Sequence, residues 1–254
     1  MAQITNQCLI LAAGNGSRLV SQSGGLPKPL VPLHGVPLLA HVLLSACEAG
    51  VDEFVIVVGY RGQMIRDWFA NHWVHNARIT FVENSEYEKG NGSSVLKARQ
   101  KLYGPFLLLM ADHIFEPCTA RMLLNQALAP GEVILATDQK IDAVFDLDDA
   151  TKVSCEGRGI ADIGKELTSY NALDTGMFLC GPAVFRVLDL AAKKGACSLS
   201  DGMRLLARDG KLLSFDIGGS HWQDVDTPEA LAYAERIFDR HFSRTPVAEQ
   251  LAHA

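Results

Sequence analysis

The chain has 254 residues, of which 48% are hydrophobic and 20% charged. That is enough apolar material for a full core, and it excludes a disordered chain. With 23 Lys and Arg against 29 Asp and Glu, the formal charge is −6. This excludes a non-specific nucleic-acid binder, which needs a basic footprint.

No apolar run approaches the roughly 20 residues that a membrane helix needs. The first residues lack the basic region and small-residue cleavage pattern of a signal peptide. The cysteines Cys8, Cys47, Cys118, Cys155, Cys180 and Cys197 lie far apart, with no C-x-x-C pair. The expectation is a cytoplasmic protein with reduced thiols, no disulfide framework and no zinc site.

The first half alternates short apolar runs with helix-length periodic segments. Residues 7–12 predict a buried strand, followed by a glycine-rich loop. Residues 37–49 predict a helix that opens on Pro37 and stops at Gly50. Strands are predicted over 53–58, 78–82 and 106–111, and helices over 63–73, 93–102 and 118–128. Strands apolar on both faces and separated by helices imply βαβ units in a parallel sheet. After about residue 130 the rhythm changes. The runs 133–137, 143–147, 151–155 and 159–163, broken by Gly and Asp, predict a small antiparallel insertion. A buried strand at 174–180 follows, then a helix to 192, a helix over 200–207, a strand over 212–217 and a helix over 228–242. The expected organisation is a single domain over 1–242, with an insertion at about 133–180 and a loose tail over 243–254.

The loop after the first strand carries the clearest signal: LILAAGNGSRL, then LPKPL from Leu26. Gly14 and Gly16 let the backbone approach a phosphate or a base edge, because no Cβ intrudes. A dinucleotide fingerprint fails here, since its third glycine position is Leu19 and no helix is expected before residue 37. A Walker A loop fails because G-K-[ST] is absent. What remains is a long loop carrying two cations, Arg18 and Lys28, that suits a triphosphate.

These residues resemble the signature of the nucleotidyltransferases that couple a nucleoside triphosphate to a sugar or alcohol phosphate, L-A-A-G-x-G-[ST]-R followed by P-K-P-L. Ser17 stands where Thr is usual and keeps the hydroxyl. YEKGNGSS, LLLMADHIFE, DDATKV, DIGKEL, NALDTGMF and WQDVDTPE further resemble the inositol-1-phosphate cytidylyltransferases. Phosphocholine and aminoethylphosphonate cytidylyltransferases share the plan but typically carry Asn-Asn where this chain has Asn91-Gly92. The resemblance covers the chain to about residue 240. It implies a doubly wound, mostly parallel Rossmann-like α/β fold with the small insertion on the substrate side. It also implies transfer of CMP from CTP to a phosphorylated alcohol, with inositol 1-phosphate favoured and CDP-inositol and pyrophosphate as products. Transfer to phosphocholine, a phosphonate or a sugar 1-phosphate is the alternative, and a non-catalytic nucleotide-binding module is a further one.

The site residues follow from both readings. Asp112 lies at the carboxyl end of a buried strand, where ligand crevices open in doubly wound sheets. Asp224 and Asp226 lie two apart, so an extended stretch points both to one side. With Asp112 they would hold Mg²⁺ on triphosphate oxygens, although Asp226 or Thr227 would equally cap the following helix. The resemblance gives the nucleotide to Leu11, Ala12, Ala13, Gly14, Gly16 and Ser17, with the base read by the backbone around Ala12–Gly14 and by the loop of Asn91, Gly92 and Ser93. It gives the triphosphate to Arg18 and Lys28, and the acceptor's phosphate to Lys165, which would otherwise be a solvated turn lysine. Asp174 and Thr175 would meet the polyol hydroxyls, or simply end a turn. His113 would orient a hydrogen bond or pack. His72 and His75 share a helix face without a third ligand, and Asp146, Asp148 and Asp149 read as a solvated acidic cluster. The oligomeric state is not legible.

Overall fold

The computed structural model of the chain describes residues 5–20, 25–73, 76–195 and 197–242. The expected tail over 243–254 and His75 lie outside the described residues. The chain opens with β1 (Gln7–Ala12), α1 (Ser17–Val20), β2 (Pro32–Leu33), β3 (Val36–Pro37), α2 (Leu38–Glu48), β4 (Glu53–Val58) and α3 (Gly62–His72). It continues with β5 (Arg78–Glu83), α4 (Asn91–Ala98), β6 (Phe106–Met110), β7 (His113–Phe115), α5 (Pro117–Leu124) and β8 (Val133–Asp138). Then follow β9 (Lys152–Glu156), β10 (Gly159–Gly164), β11 (Ala172–Cys180), α6 (Ala183–Lys193), α7 (Leu199–Arg208), β12 (Leu212–Asp216), β13 (Trp222–Asp224) and α8 (Pro228–His241).

Period-two alternation makes β1 serve two cores at once. Cys8, Ile10 and Ala12 pack with α2, α3 and α5 on one face. Leu9, Leu11 and Ala13 pack with α4, α6 and α7 on the other. β4 divides likewise, Phe54, Ile56 and Val58 against Val55 and Val57. Helices on both faces make the fold doubly wound, as the apolar runs imply.

The sheet has nine strands in the order β5-β4-β1-β6-β11-β8-β12-β10-β9. β1, β4, β5 and β6 pair in parallel. β11 runs antiparallel to β6 and β8, and β8 runs parallel to β12. The expected insertion is therefore smaller than the sequence suggests. Residues 133–137 and 174–180 are central strands of the main sheet, and only the β9–β10 hairpin caps its end. Residues 143–147 form no strand. They follow a 3-10 turn at Ile141–Ala143 and dock through Phe145, stacked on Tyr233 with ring centroids 4.6 Å apart.

Two other differences matter for the site. A one-turn helix, α1, directly follows the glycine loop, where no helix was expected before residue 37. Pro37 ends the β2–β3 ribbon and caps α2 instead of opening it. The sequence also hides the antiparallel ribbon of β7 and β13, because each strand is only three residues long. Its register sets Trp222 opposite Phe115 and Asp224 opposite His113.

Candidate active site

The end of β1 and the glycine loop line a cavity of about 280 Å³ with Leu11, Ala12, Gly14, Gly16, Ser17, Arg18, Lys28, Asp112 and Asp226. Ala13 is buried on the opposite face, in the core under α4. A Cβ on Gly14 would meet no atom within 4 Å, so the backbone there faces open space. Gly16 is different. Its φ is +55°, and a Cβ would lie 2.5 Å from Lys28 Cβ. That glycine is required for the lysine to pass beneath the loop.

Lys28 is 5% exposed and reaches three carboxylates. Its Nζ lies 2.6 Å from Asp112 Oδ2 and 3.9 Å from Asp224 Oδ1, and it donates a hydrogen bond to Asp226 Oδ1. The β7–β13 ribbon creates this cluster, because it folds Asp224 back beside Asp112. The Val225 N–H donates to the Asp112 carbonyl at 3.0 Å and holds the next turn in place. Asp226 also accepts from Arg18. Thr227, not Asp226, caps α8, its hydroxyl accepting from the Ala230 N–H at 3.1 Å.

The charges are strongly coupled. Burial works against the Lys28 charge, but Asp112, Asp224 and Asp226 outweigh it and raise its pKa. Burial opposes the Asp112 charge too, yet Lys28 and His113 hold its carboxyl well below the usual range. Burial, with repulsion from Asp112 and Asp226, pushes Asp224 up to about 6. His113 sits with Nδ1 2.8 Å from Asp112 Oδ1, its ring stacked on Trp222 at 5.8 Å. Burial disfavours its cation, but Asp224 and Asp112 overcome that and push its pKa to about 9. The ring thus sits between Trp222 and the Asp112 carboxylate, where it can orient that carboxylate.

A second cavity, of about 190 Å³, adjoins the cluster through Asp224 and Asp226. Lys165, Asp149, Asp174, His113, Asn91 and Trp222 line it. Asp149 bridges two cations, with Lys165 Nζ at 2.6 Å and Arg18 Nη2 at 2.9 Å. Burial would raise its pKa, but hydrogen bonds from Lys165 and Arg18 hold it near 2. Asp149 is thus no solvated decoration, and the acidic cluster read from the sequence is corrected at this residue. Asp174 sits at a bulge in β11, where its Oδ1 accepts from the Gly176 N–H at 2.7 Å. Burial pushes its pKa up to about 6. Gly176, at φ +75°, leaves room for His113, whose ring a Cβ would approach within 2.6 Å.

Several expected site residues are occupied elsewhere. Thr175 is fully buried, and its hydroxyl donates to the Ala136 carbonyl at 2.8 Å, so it locks β11 to β8 and does not line the cavity. Asn91, Gly92 and Ser93 form the first turn of α4, not a loop. Asn91 Oδ1 accepts from the Leu199 N–H at 2.7 Å, tying α4 to α7. Ser93 is buried, donating to the Gly90 carbonyl at 2.7 Å and accepting from Asn84. Gly92 has no room for a Cβ, which would lie 2.7 Å from the Cys197 carbonyl. Of the three, Asn91 alone lines the second cavity. His72 bonds the Trp68 carbonyl and stacks on Trp68, a packing role.

The donor set at the cluster suits a hard divalent cation. Asp224 Oδ1 is buried and accepts no hydrogen bond among the described residues. Asp149, Asp224 and Asp226 also bring one oxygen each within 4.8 Å of one another. Carboxylate oxygens converging in this way fit a hard divalent cation, and Asp112 joins Asp224 in a second such group that includes His113.

A family described as MobA-like NTP transferase domain matches residues 8–208. The chain is 36% identical over 231 residues to a bifunctional IPC transferase and DIPP synthase of Rubrobacter xylanophilus, covering 90% of this chain and 51% of that protein. It is 32% identical over 228 residues to the protein of the same description from Aquifex aeolicus, covering 90% and 50%. The chain thus spans about half the length of these curated relatives. Among solved structures it is similar to the inositol-1-phosphate CTP transferase from T. maritima, at TM-score 0.80 and 24% identity, covering 99% of this chain and 97% of that one. A UDP-glucose pyrophosphorylase complexed with UDP-glucose superposes at TM-score 0.79 and 19% identity, covering 93% and 99%. At these identities both structures bear on the fold. No helix among the described residues is long and apolar enough to cross a membrane.

Proposed function

We propose, for a chain that belongs to the family of MobA-like NTP transferase domains, that it transfers CMP from CTP to inositol 1-phosphate, releasing CDP-inositol and pyrophosphate. The observation that carries this reading is the junction of two cavities at one cluster. The glycine-loop cavity ends on Arg18, Lys28 and Asp226, and the second opens from Asp224 and Asp226 towards Lys165 and Asp174. A triphosphate in the first and a phosphate monoester in the second would meet where Arg18, Asp149 and Lys165 already form a continuous chain of contacts.

The chemistry asks for no general base. A phosphate monoester has a second pKa of about 6 and is largely dianionic at neutral pH. An acceptor phosphate oxygen attacks the α-phosphorus, a new O–P bond forms, and the bond to the bridging oxygen breaks, with pyrophosphate taking the electron pair. Arg18 and Lys28 neutralise the triphosphate and the departing pyrophosphate. Lys165 holds the attacking phosphate. Asp112, Asp224 and Asp226 would hold Mg²⁺, which supplies charge neutralisation on phosphate oxygens when bound. Rate enhancement then comes from positioning and fixed charge. Asp174 and the second cavity suit a hydroxyl-rich acceptor, because a carboxylate accepts hydrogen bonds and, among the described residues, the aromatic lining of the cavity is the single Trp222–His113 stack and not a cage. A quaternary ammonium would be held over aromatic faces.

Pyrophosphate release, measured with each of four nucleoside triphosphates against inositol 1-phosphate, phosphocholine, 2-aminoethylphosphonate and glucose 1-phosphate, tests the reading. CTP with inositol 1-phosphate should give the highest kcat/KM. A higher value for another acceptor overturns the acceptor assignment, and no release with any pair overturns the transfer.

A further inference from the structure

The β7–β13 ribbon has two ends, and the end away from the carboxylate cluster holds a second group of metal-ligating side chains. Beyond the Trp222–Phe115 pair, the Glu116 N–H donates to the His221 carbonyl at 3.3 Å. The His221 N–H in turn donates to Glu116 Oε1 at 3.1 Å, and the same oxygen lies 3.0 Å from His221 Nδ1. His241, the last residue of α8, lays its ring over that of His221, with centroids 3.5 Å apart and planes 26° apart. One ligand-type atom from each of Glu116, His221 and His241 lies within 4.8 Å of the other two. Glu116 and His221 are 105 residues apart in sequence, so no local spacing reveals the group.

The chemistry of this trio differs from that of the acidic cluster. Two imidazoles and one carboxylate form a borderline donor set that favours Zn²⁺ over Mg²⁺, whereas an all-oxygen set favours Mg²⁺. Zinc bonds of about 2.0–2.2 Å place neighbouring tetrahedral ligand atoms about 3.4 Å apart. The Glu116–His221 contact is already near that spacing, whereas the His241 ring lies face to face on His221 and must swing out of that stack to turn a nitrogen towards a shared ion. The group is open to solution, since the His221 side chain is 41% exposed and that of Glu116 is 24% exposed. The three residues come from three elements: the residue after β7, the residue before β13 and the end of α8. An ion shared among them would clamp the ribbon that carries Asp224 to the C-terminal end of α8.

We propose that Glu116, His221 and His241 form a zinc-binding site, with the fourth position open to solvent, that clamps the β7–β13 ribbon to α8. The site is independent of the transfer reaction proposed above and stands or falls on metal binding alone.

The test is calorimetric titration of Zn²⁺ into the full chain after chelator treatment, with millimolar Mg²⁺ present to fill the oxygen site. One saturable site per chain is expected, with a raised melting temperature on binding. The affinity should fall by at least about 10-fold in His221→Ala and in His241→Ala, each with loss of a ligand, and stay unchanged in Asp224→Asn. Glu116→Gln should retain the fold and weaken zinc to a similar degree. Cobalt(II) added in place of zinc should give the visible absorption of a four-coordinate nitrogen and oxygen site. The proposal is overturned by a wild-type titration with no saturable zinc site. It is equally overturned by unchanged zinc affinity in His241→Ala or Glu116→Gln.

Discussion

The two cavities that meet at Asp226 are built differently. The glycine-loop cavity takes most of its lining from one continuous stretch, residues 11–18, with Lys28 and Pro29 close behind. The second takes its lining from at least five separated parts of the chain, from Asn91 to Ala230. A surface made by one contiguous backbone segment leaves a spacing in the sequence, because the glycines must sit where the chain bends. A surface assembled by sheet topology leaves none. The contrast predicts that substitutions at the loop strike the reaction itself, while those in the second cavity tune the choice of partner.

The largest effect is expected at Lys28. In Lys28→Ala, turnover should fall by about 10²–10⁴, the scale of a lost contact to developing charge. The protein must first be shown to fold, by circular dichroism, because the three carboxylates around Lys28 lose their shared cation. Unchanged steady-state kinetics in a folded variant would remove the triphosphate from the loop cavity.

Next comes the metal. Chelation should abolish turnover without unfolding the chain. Asp112→Asn should raise the Mg²⁺ concentration for half-maximal rate by more than the about 10–100-fold typical of outer-shell partners. A normal Mg²⁺ titration in this variant would exclude Asp112 as a ligand.

The boundary between legible and hidden parts of the molecule follows the same contrast. β1, β4 and β6 are buried on both faces, so their apolar runs and the doubly wound plan stand out in the sequence. Asp112 is legible because it ends such a run. β8 is equally buried, but Thr137 and Asp138 close its apolar run, so it reads as part of the insertion, whereas β11 reads as a buried strand from Asp174 and only its place in the centre of the sheet is hidden. The β7–β13 ribbon is illegible because three residues show no period, and the convergence of Asp224 and His113 depends on it. Asp149 looked solvated because its partners Arg18 and Lys165 lie 131 and 16 residues away. Thr175 is legible by the period-two rule, because neighbours on a strand project to opposite faces and an Asp174 turned to the cavity puts Thr175 in the core.

A smaller effect is expected at Asp174, where function and stability pull in opposite directions. Its folded pKa of about 6 lies above the ordinary carboxylate value of about 3.9. The native state therefore holds this proton more tightly than the unfolded chain does. Burying the group costs little below about pH 4, and the cost grows between the unfolded and folded pKa values and levels off above pH 6 at about 3 kcal/mol. Asp174→Asn removes that cost, so its stability relative to the wild type should rise by about 1.4 kcal/mol between pH 5 and pH 8 in denaturant titrations. Its kcat/KM for inositol 1-phosphate should fall by about 10-fold, the loss of one buried hydrogen-bonding partner, with the KM for CTP unchanged. A pH-independent stability difference would place Asp174 in water.

The smallest effect separates the two uses of Asn91. Its Oδ1 is committed to the Leu199 N–H at 2.7 Å, one of the first-turn donors of α7 that the helix itself leaves unsatisfied. Removing it in Asn91→Ala should cost about 1 kcal/mol of stability, the value of one such bond. The amide nitrogen is a donor, and Asn91 lines the second cavity. If the cytosine ring extends from the glycine-loop cavity past the carboxylate cluster to the edge of the second cavity, a donor there favours N3 of cytosine, an acceptor, over N3–H of uracil. The ratio of kcat/KM for CTP over UTP should therefore fall about fivefold in this variant, a loss of about 1 kcal/mol of discrimination. A lowered melting temperature with an unchanged ratio would assign Asn91 to holding α4 against α7. Base selection would then rest on the backbone of residues 12–14, the part of the molecule that the sequence marks most clearly.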